Sequence, residues 1–108
     1  MASAREKMDE AAQKIARHPE AVQDVGATFK LVLTGEGGGT WLMTLRHPPS
    51  LLEKDGAADC TVRIAANDYV DLMEGRAAAP ALFFSGKLQI EGDLAVAMKL
   101  GTLTALFH

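Results

Sequence analysis

The chain has 108 residues, 48% of them hydrophobic, 6% aromatic and 23% charged, with a formal net charge of -3; these proportions predict one globular domain over residues 1–108. Lys and Arg are scattered from Arg5 to Lys99 without a run, which argues against a nucleic-acid partner. The charged N-terminus lacks the apolar core of a secretion signal, no stretch approaches a membrane span, and the one cysteine, Cys60, has no internal partner for a disulfide, so a cytoplasmic location is expected.

Residues 3–18 place Met8, Ala11, Ala12, Ile15 and Ala16 at helical spacing, with Arg5, Lys7, Asp9, Glu10, Lys14 and Arg17 on the other side. This pattern predicts an amphipathic helix that stops near His18, since Pro19 disfavours helical geometry in the residue before it. From Gly26 the period becomes two: Phe29, Leu31 and Leu33 alternate with Thr28, Lys30 and Thr34. The Gly-rich stretch 35–39 turns the chain, and Trp41, Met43 and Leu45 then alternate with Thr40, Thr44 and Arg46, which predicts a hairpin.

Pro48 and Pro49 end that strand, Ser50 to Glu53 fit a short edge strand, and Asp55-Gly56 turns the chain again. In the next strand Cys60, Val62 and Ile64 face inward and Asp59, Thr61 and Arg63 outward. Asn67 is the expected cap of a short helix carrying Tyr69, Val70, Leu72 and Met73 and ending at Gly75. Pro80 opens a second short helix through Phe84. Lys87 to Glu91 form the last strand, with Leu88 and Ile90 inward, and Asp93 caps a final helix. Strands with one apolar and one polar face predict a sheet covered on one side by helices, an α+β architecture in two layers.

The final helix has more apolar surface than one sheet can cover. Between Leu94 and Phe107 only Lys99, Thr102 and Thr104 are polar. Leu94, Ala97, Met98 and Gly101 lie along one side, and Val96, Leu100, Leu103 and Phe107 along another. Leu82, Phe83 and Phe84 repeat this excess on a helix of barely two turns. Mutual burial of the helices, a dimer interface and an internal lipid cavity each account for it.

Catalytic and metal chemistry finds little support in the residues. His18, His47 and His108 have no nucleophile at an informative spacing, and no metal-binding motif of His, Cys or carboxylates occurs. Cys60 reads as a small buried hydrophobe, the glycines at 35–39 as a turn rather than a phosphate cradle, and Asp68, Asp71 and Glu74 as a solvated helix face. Lys87 reads as an outward edge charge, and Trp41 as a core residue.

Ala58-Asp-Cys-Thr-Val-Arg-Ile64, Asn67-Asp-Tyr-Val-Asp-Leu-Met-Glu-Gly75, and above all Phe83-Phe-Ser-Gly-Lys-Leu-Gln-Ile-Glu-Gly-Asp-Leu-Ala-Val-Ala-Met-Lys-Leu100 resemble the sterol carrier protein 2 (sterol-binding domain) family. With the preceding helix and the Thr40-Trp41-Leu42 strand in the expected order, the resemblance extends over nearly the whole chain. It implies a five-stranded, mainly antiparallel sheet covered on one face by helices, with an apolar tunnel between. It also implies non-enzymatic binding and transfer of a hydrophobic lipid: a fatty acid, acyl-CoA, sterol, phospholipid or isoprenoid quinone. No cofactor is implied.

By motif position and inward phase, the resemblance assigns Trp41, Met43, Leu72, Met73, Leu82, Phe83, Phe84, Ile90, Met98, Leu103 and Phe107 to the tunnel or its lid. The C-terminal Leu106-Phe107-His108 differs from the Ser/Ala-Lys-Leu signal of peroxisomal members, so peroxisomal import is not expected. An open tunnel mouth or a covering second copy, with transient membrane contact, fits the short final segment. The alternative reading is a docking or dimerisation module that presents the apolar C-terminal helix to a lipid-metabolising partner. A small acyl hydrolase has no assigned base or nucleophile to support it.

Overall fold

Period-two alternation requires that one face of the sheet be buried, and in the computed structural model three rungs of side chains run across that face. The structure describes residues 3–22, 25–46 and 48–101. Its strands are β1 (Ala27–Thr34), β2 (Gly39–Leu45), β3 (Ser50–Leu52), β4 (Cys60–Ala65) and β5 (Leu88–Gly92), in the order β3-β2-β1-β4-β5. One rung joins Leu51, Met43, Phe29 and Cys60; the next joins Trp41, Leu31, Val62 and Ile90; the third joins Gly39, Leu33, Ile64 and Leu88. Among them Phe29 is fully buried. Side chains of this size contribute roughly 1.5–3 kcal/mol each when removed from water, so the inward face is the main source of cohesion.

The sheet is mixed. Three of its pairings are antiparallel, but β1 and β4 at the centre run parallel. A parallel pair needs a long crossover, which the β2–β3 meander supplies. Asp59 fixes its register: the Asp59 N–H donates to the Thr28 carbonyl at 2.9 Å, and the Asp59 Oδ2 accepts from the Thr28 N–H at 2.8 Å. The same carboxylate accepts from Arg46 at 3.1 Å. Gly92, at the end of β5, passes so close to this corner that an added Cβ would lie 2.7 Å from the Asp59 carbonyl oxygen.

Helix α1 (Ala4–Arg17) buries Ala4, Met8, Ala11 and Ile15, spaced by whole turns, and contacts β3 and α3 (Ala66–Met73). Its first turn is capped by the Ser3 hydroxyl, which accepts from the Glu6 N–H at 3.1 Å. Pro19 does end this helix, but it also begins a second, α2 (Pro19–Val22), which the pattern did not predict. Proline tolerates a first helical turn because its missing N–H has no partner to lose there. Helix α3 begins at Ala66 after Ala65, with no side-chain cap, so Asn67 lies inside the helix and is not its N-cap. Helix α4 (Ala79–Phe84) carries Pro80 in its first turn and contacts β5. Helix α5 (Leu94–Gly101) contacts β4 and β5, and Asp93 Oδ1 caps it by accepting from the Ala95 and Val96 N–H groups at 3.0 and 3.3 Å.

The outward face also holds one buried apolar residue. Leu42 is 8% exposed because the loop after β3 folds back over it, with Gly56 close enough that an added Cβ would lie 2.7 Å from Leu42 Cδ1. Lys30 anchors the loop by an ion pair to Asp55 at 2.7 Å.

Two alanine variants separate backbone strain from crowding. Gly37 and Gly92 both have positive φ, at 78° and 106°, but only Gly92 is crowded by other backbone. Gly37→Ala should lower stability on the order of 1–3 kcal/mol, the usual range for a strained backbone site. Gly92→Ala should lower it by more, and urea unfolding of the two variants beside the parent measures the difference.

Candidate functional site

Two regions combine apolar surface with access from solvent, and they lie towards opposite edges of the sheet. The first is formed by α4 and α5 beside β5. Leu82 points into the core at 7% exposure, whereas Phe83 and Phe84 are 44% and 85% exposed and meet edge to face at 5.8 Å. In α5, Val96 and Ala97 pack against the core while Leu94 and Met98 are 59% and 77% exposed. The i, i+4 spacing of Leu94 and Met98 puts them one above the other on the same uncovered side. The apolar excess read from the sequence is present at Leu94 and Met98, but Ala97, placed on their side by the sequence pattern, packs with Val96 against the core.

The residues assigned to tunnel or lid fall into three groups. Trp41, Met43, Leu72 and Leu82 are buried, and Met73 and Ile90 are half-buried against the core. Phe83, Phe84 and Met98 are exposed. Leu103 and Phe107 lie outside the described residues.

The second region is a cleft of about 420 Å³ between α1 and the β2–β3 edge. Met8, Ala12, Trp41 and Leu51 form its apolar part, and Arg5, Asp9, Leu52 and Glu53 complete it. Of these only Trp41 was singled out by its sequence position. The Arg5 guanidinium lies 5.4 Å from the centroid of the Trp41 ring and donates to Glu53 Oε1, so a cation rests on the aromatic face and is held by a carboxylate. No sequence pattern signals this contact, because Arg5 and Glu53 are 48 residues apart. Beneath them Gly39 leaves room: an added Cβ would stand 3.0 Å from the Trp41 ring and 3.1 Å from Glu53 Oε2.

The ionisation states follow these contacts. The hydrogen bond from Arg5 holds the Glu53 carboxyl below the usual glutamate range, and Glu53, with a smaller contribution from Asp9, pushes Arg5 upward. Burial pushes up the Tyr69 hydroxyl, which donates to Met8 Sδ at 3.4 Å and ties α3 to the back of the cleft. Burial is also the main cause raising the Cys60 thiol, so this group is a poor nucleophile at neutral pH. Among the described residues, no helix is long and apolar enough to cross a membrane.

Residues 7–105 match the model of the SCP-2 sterol transfer family. The chain belongs to that family. Among curated relatives it is 34% identical over 87 residues to Hydroxysteroid dehydrogenase-like protein 2 of Mus musculus, covering 78% of this chain and 18% of the relative. It is 37% identical over 89 residues to Sterol carrier protein 2 of Rattus norvegicus, covering 78% and 16%. The chain thus spans a fifth or less of the length of these two relatives.

Solved structures agree on the fold. The solution structure of the sterol carrier protein domain 2 of Helicoverpa armigera has a TM-score of 0.82 at 23% identity, covering 97% of this chain and 88% of that one. The Sterol Carrier Protein 2 of Aedes aegypti, in complex with the C16 fatty acid palmitate, has a TM-score of 0.72 at 24% identity, covering 93% and 96%. The α+β sheet expected from the family resemblance is therefore the family fold, with the parallel β1–β4 pair as a refinement.

An NMR titration of the Glu53 carboxyl carbon checks the ion pair. Because Arg5 favours the carboxylate, the midpoint should lie below the ordinary glutamate value of 4.5, and Arg5→Ala should move it upward. The sign for stability follows. A depressed folded-state pKa adds stability that is fully present above 4.5 and lost as pH falls through the folded value, and Arg5→Ala should remove that share.

Proposed function

We propose that this chain is a non-enzymatic lipid-binding and transfer domain that holds a fatty acyl, sterol or other hydrophobic lipid in a tunnel between the sheet and its helices. The observation that carries the reading is the uncovered apolar side of α4 and α5, where Phe84 and Met98 are 85% and 77% exposed. Family membership supports it, as does the palmitate held by the Aedes aegypti relative of the same fold. Phe83, Phe84, Leu94 and Met98 supply apolar surface that a bound chain would remove from water. Each buried methylene contributes about 0.8 kcal/mol before ordering and desolvation are subtracted. Affinity should therefore rise with acyl length until the chain fills the tunnel.

The cargo class comprises fatty acids, acyl-CoA, sterols, phospholipids and quinones; the low aromatic share suits aliphatic cargo without choosing among them. The proposed setting is the cytoplasm, with transient membrane contact for loading and no nucleic-acid partner. A carrier needs no catalytic group, and the chain is proposed to act without one. The same exposed side chains favour a second reading, a surface that docks another copy of the chain or a lipid-metabolising enzyme.

Displacement of a fluorescent fatty acid from delipidated protein tests the leading reading. Saturated fatty acids from C8 to C16 should displace it with increasing affinity, by several-fold for each two carbons before the plateau, and Phe84→Asp should weaken them all. Absence of saturable displacement by acyl, sterol and quinone ligands would remove the proposal. Light scattering on Phe84→Asp separates the second reading: dimers that dissociate while lipid affinity is unchanged would assign the patch to docking.

A further inference from the structure

We propose that the cleft between α1 and the β2–β3 edge is a second ligand site, and that it takes an amphiphile with a quaternary ammonium head and a short alkyl chain. The cleft is set apart from α4 and α5, which pack at the β5 edge of the sheet. Its volume of about 420 Å³ falls within the range of small-molecule sites.

The choice of head follows from what already occupies the cleft. Arg5, a residue of the chain itself, stands in for the ligand: its delocalised cation lies over the Trp41 ring, 5.4 Å from the centroid, and pairs with Glu53. A cation over an indole face beside a carboxylate is the arrangement that recognises alkylammonium heads. When Arg5 swings away, the polar side chains left around the cleft are Asp9 and Glu53, both acidic, so the vacated position attracts a cation and repels a fatty-acid carboxylate.

The remaining wall suits the tail. Met8 and Leu51 are buried behind the cleft, while half-buried Ala12 and Leu52, 52% exposed, offer the apolar surface that a short tail would cover. Gly39 keeps space open beneath the head, since a methyl group there would press on both the Trp41 ring and Glu53. Arg5 and Glu53 are both substantially exposed, with side-chain accessibilities of 53% and 45%, so their ion pair faces water and opens at small cost. Arg5 thus acts as a built-in competitor at the position the ligand head would take.

Trp41 is the chain's one tryptophan, so its emission reports on the cleft directly. Octyltrimethylammonium and octanoate, each below its micelle-forming concentration, are titrated into the full chain with and without saturating palmitate. The ammonium should change Trp41 emission saturably, with palmitate having no effect on its affinity, and should bind at least tenfold more tightly than octanoate. Arg5→Ala should tighten it several-fold by removing the competitor, whereas Glu53→Gln should weaken it about tenfold, in protein whose circular dichroism matches the parent.

Equal or tighter binding of octanoate, displacement of the ammonium by palmitate, weaker binding in Arg5→Ala, or no saturable change in Trp41 emission would each overturn the proposal. Its failure would leave acyl binding near α4 and α5 untouched. Loss of fatty-acid displacement, conversely, would leave this cleft standing.

Discussion

Everything in this molecule depends on burying one face of a five-stranded sheet with helices from both ends of the sequence. A sheet with one apolar face cannot remain exposed to water, and its two edges are covered by different means. Towards the β3 edge, α1 contributes four buried side chains at regular helical spacing and a contact to α3. At the β5 edge, α4 and α5 contribute Leu82, Val96 and Ala97 inward and leave larger apolar groups outside. The cover leaves a cleft beside α1 on one side of the sheet and exposed apolar side chains on the other.

That division explains why a small domain can carry two kinds of apolar surface without losing its core. The three inward rungs run from β2 through β1 and β4 to β5, so the central strands are secured by their neighbours and by the Asp59 corner. The exposed residues of α4 and α5 are additions to this core. The cleft beside α1 arises differently: Gly39 starts its rung without a side chain, and the space above it is spanned by the Trp41 ring and a surface ion pair.

Local patterning made the strands, the hairpin, the Asp93 cap and the inward residues legible in the sequence, because period two and period 3.6 are properties of neighbouring residues. The family motifs supplied the expected lipid role. What local pattern could not supply is what depends on distant neighbours. The parallel pairing of β1 with β4 joins segments separated by a whole meander, and Leu42 is buried by a loop that returns over it. Asn67 has the chemistry of a helix cap, but the turn out of β4 begins the helix two residues too early for it. At the β3 edge, Trp41 was visible as a large inward aromatic, whereas Arg5 and Glu53 could be matched only once the fold brought them together.

The parallel centre of the sheet also sets an order of events during synthesis. β1, β2 and β3 are contiguous and can pair as a meander as soon as residues 27–52 are available. Until Cys60–Ala65 follow, β1 presents an open row of backbone donors and acceptors beside Phe29, Leu31 and Leu33. An exposed edge next to an apolar face invites pairing with another nascent chain. The pairing of β4 with β1 is therefore the step that covers this edge, and a pause in translation before residue 60 would prolong the vulnerable interval.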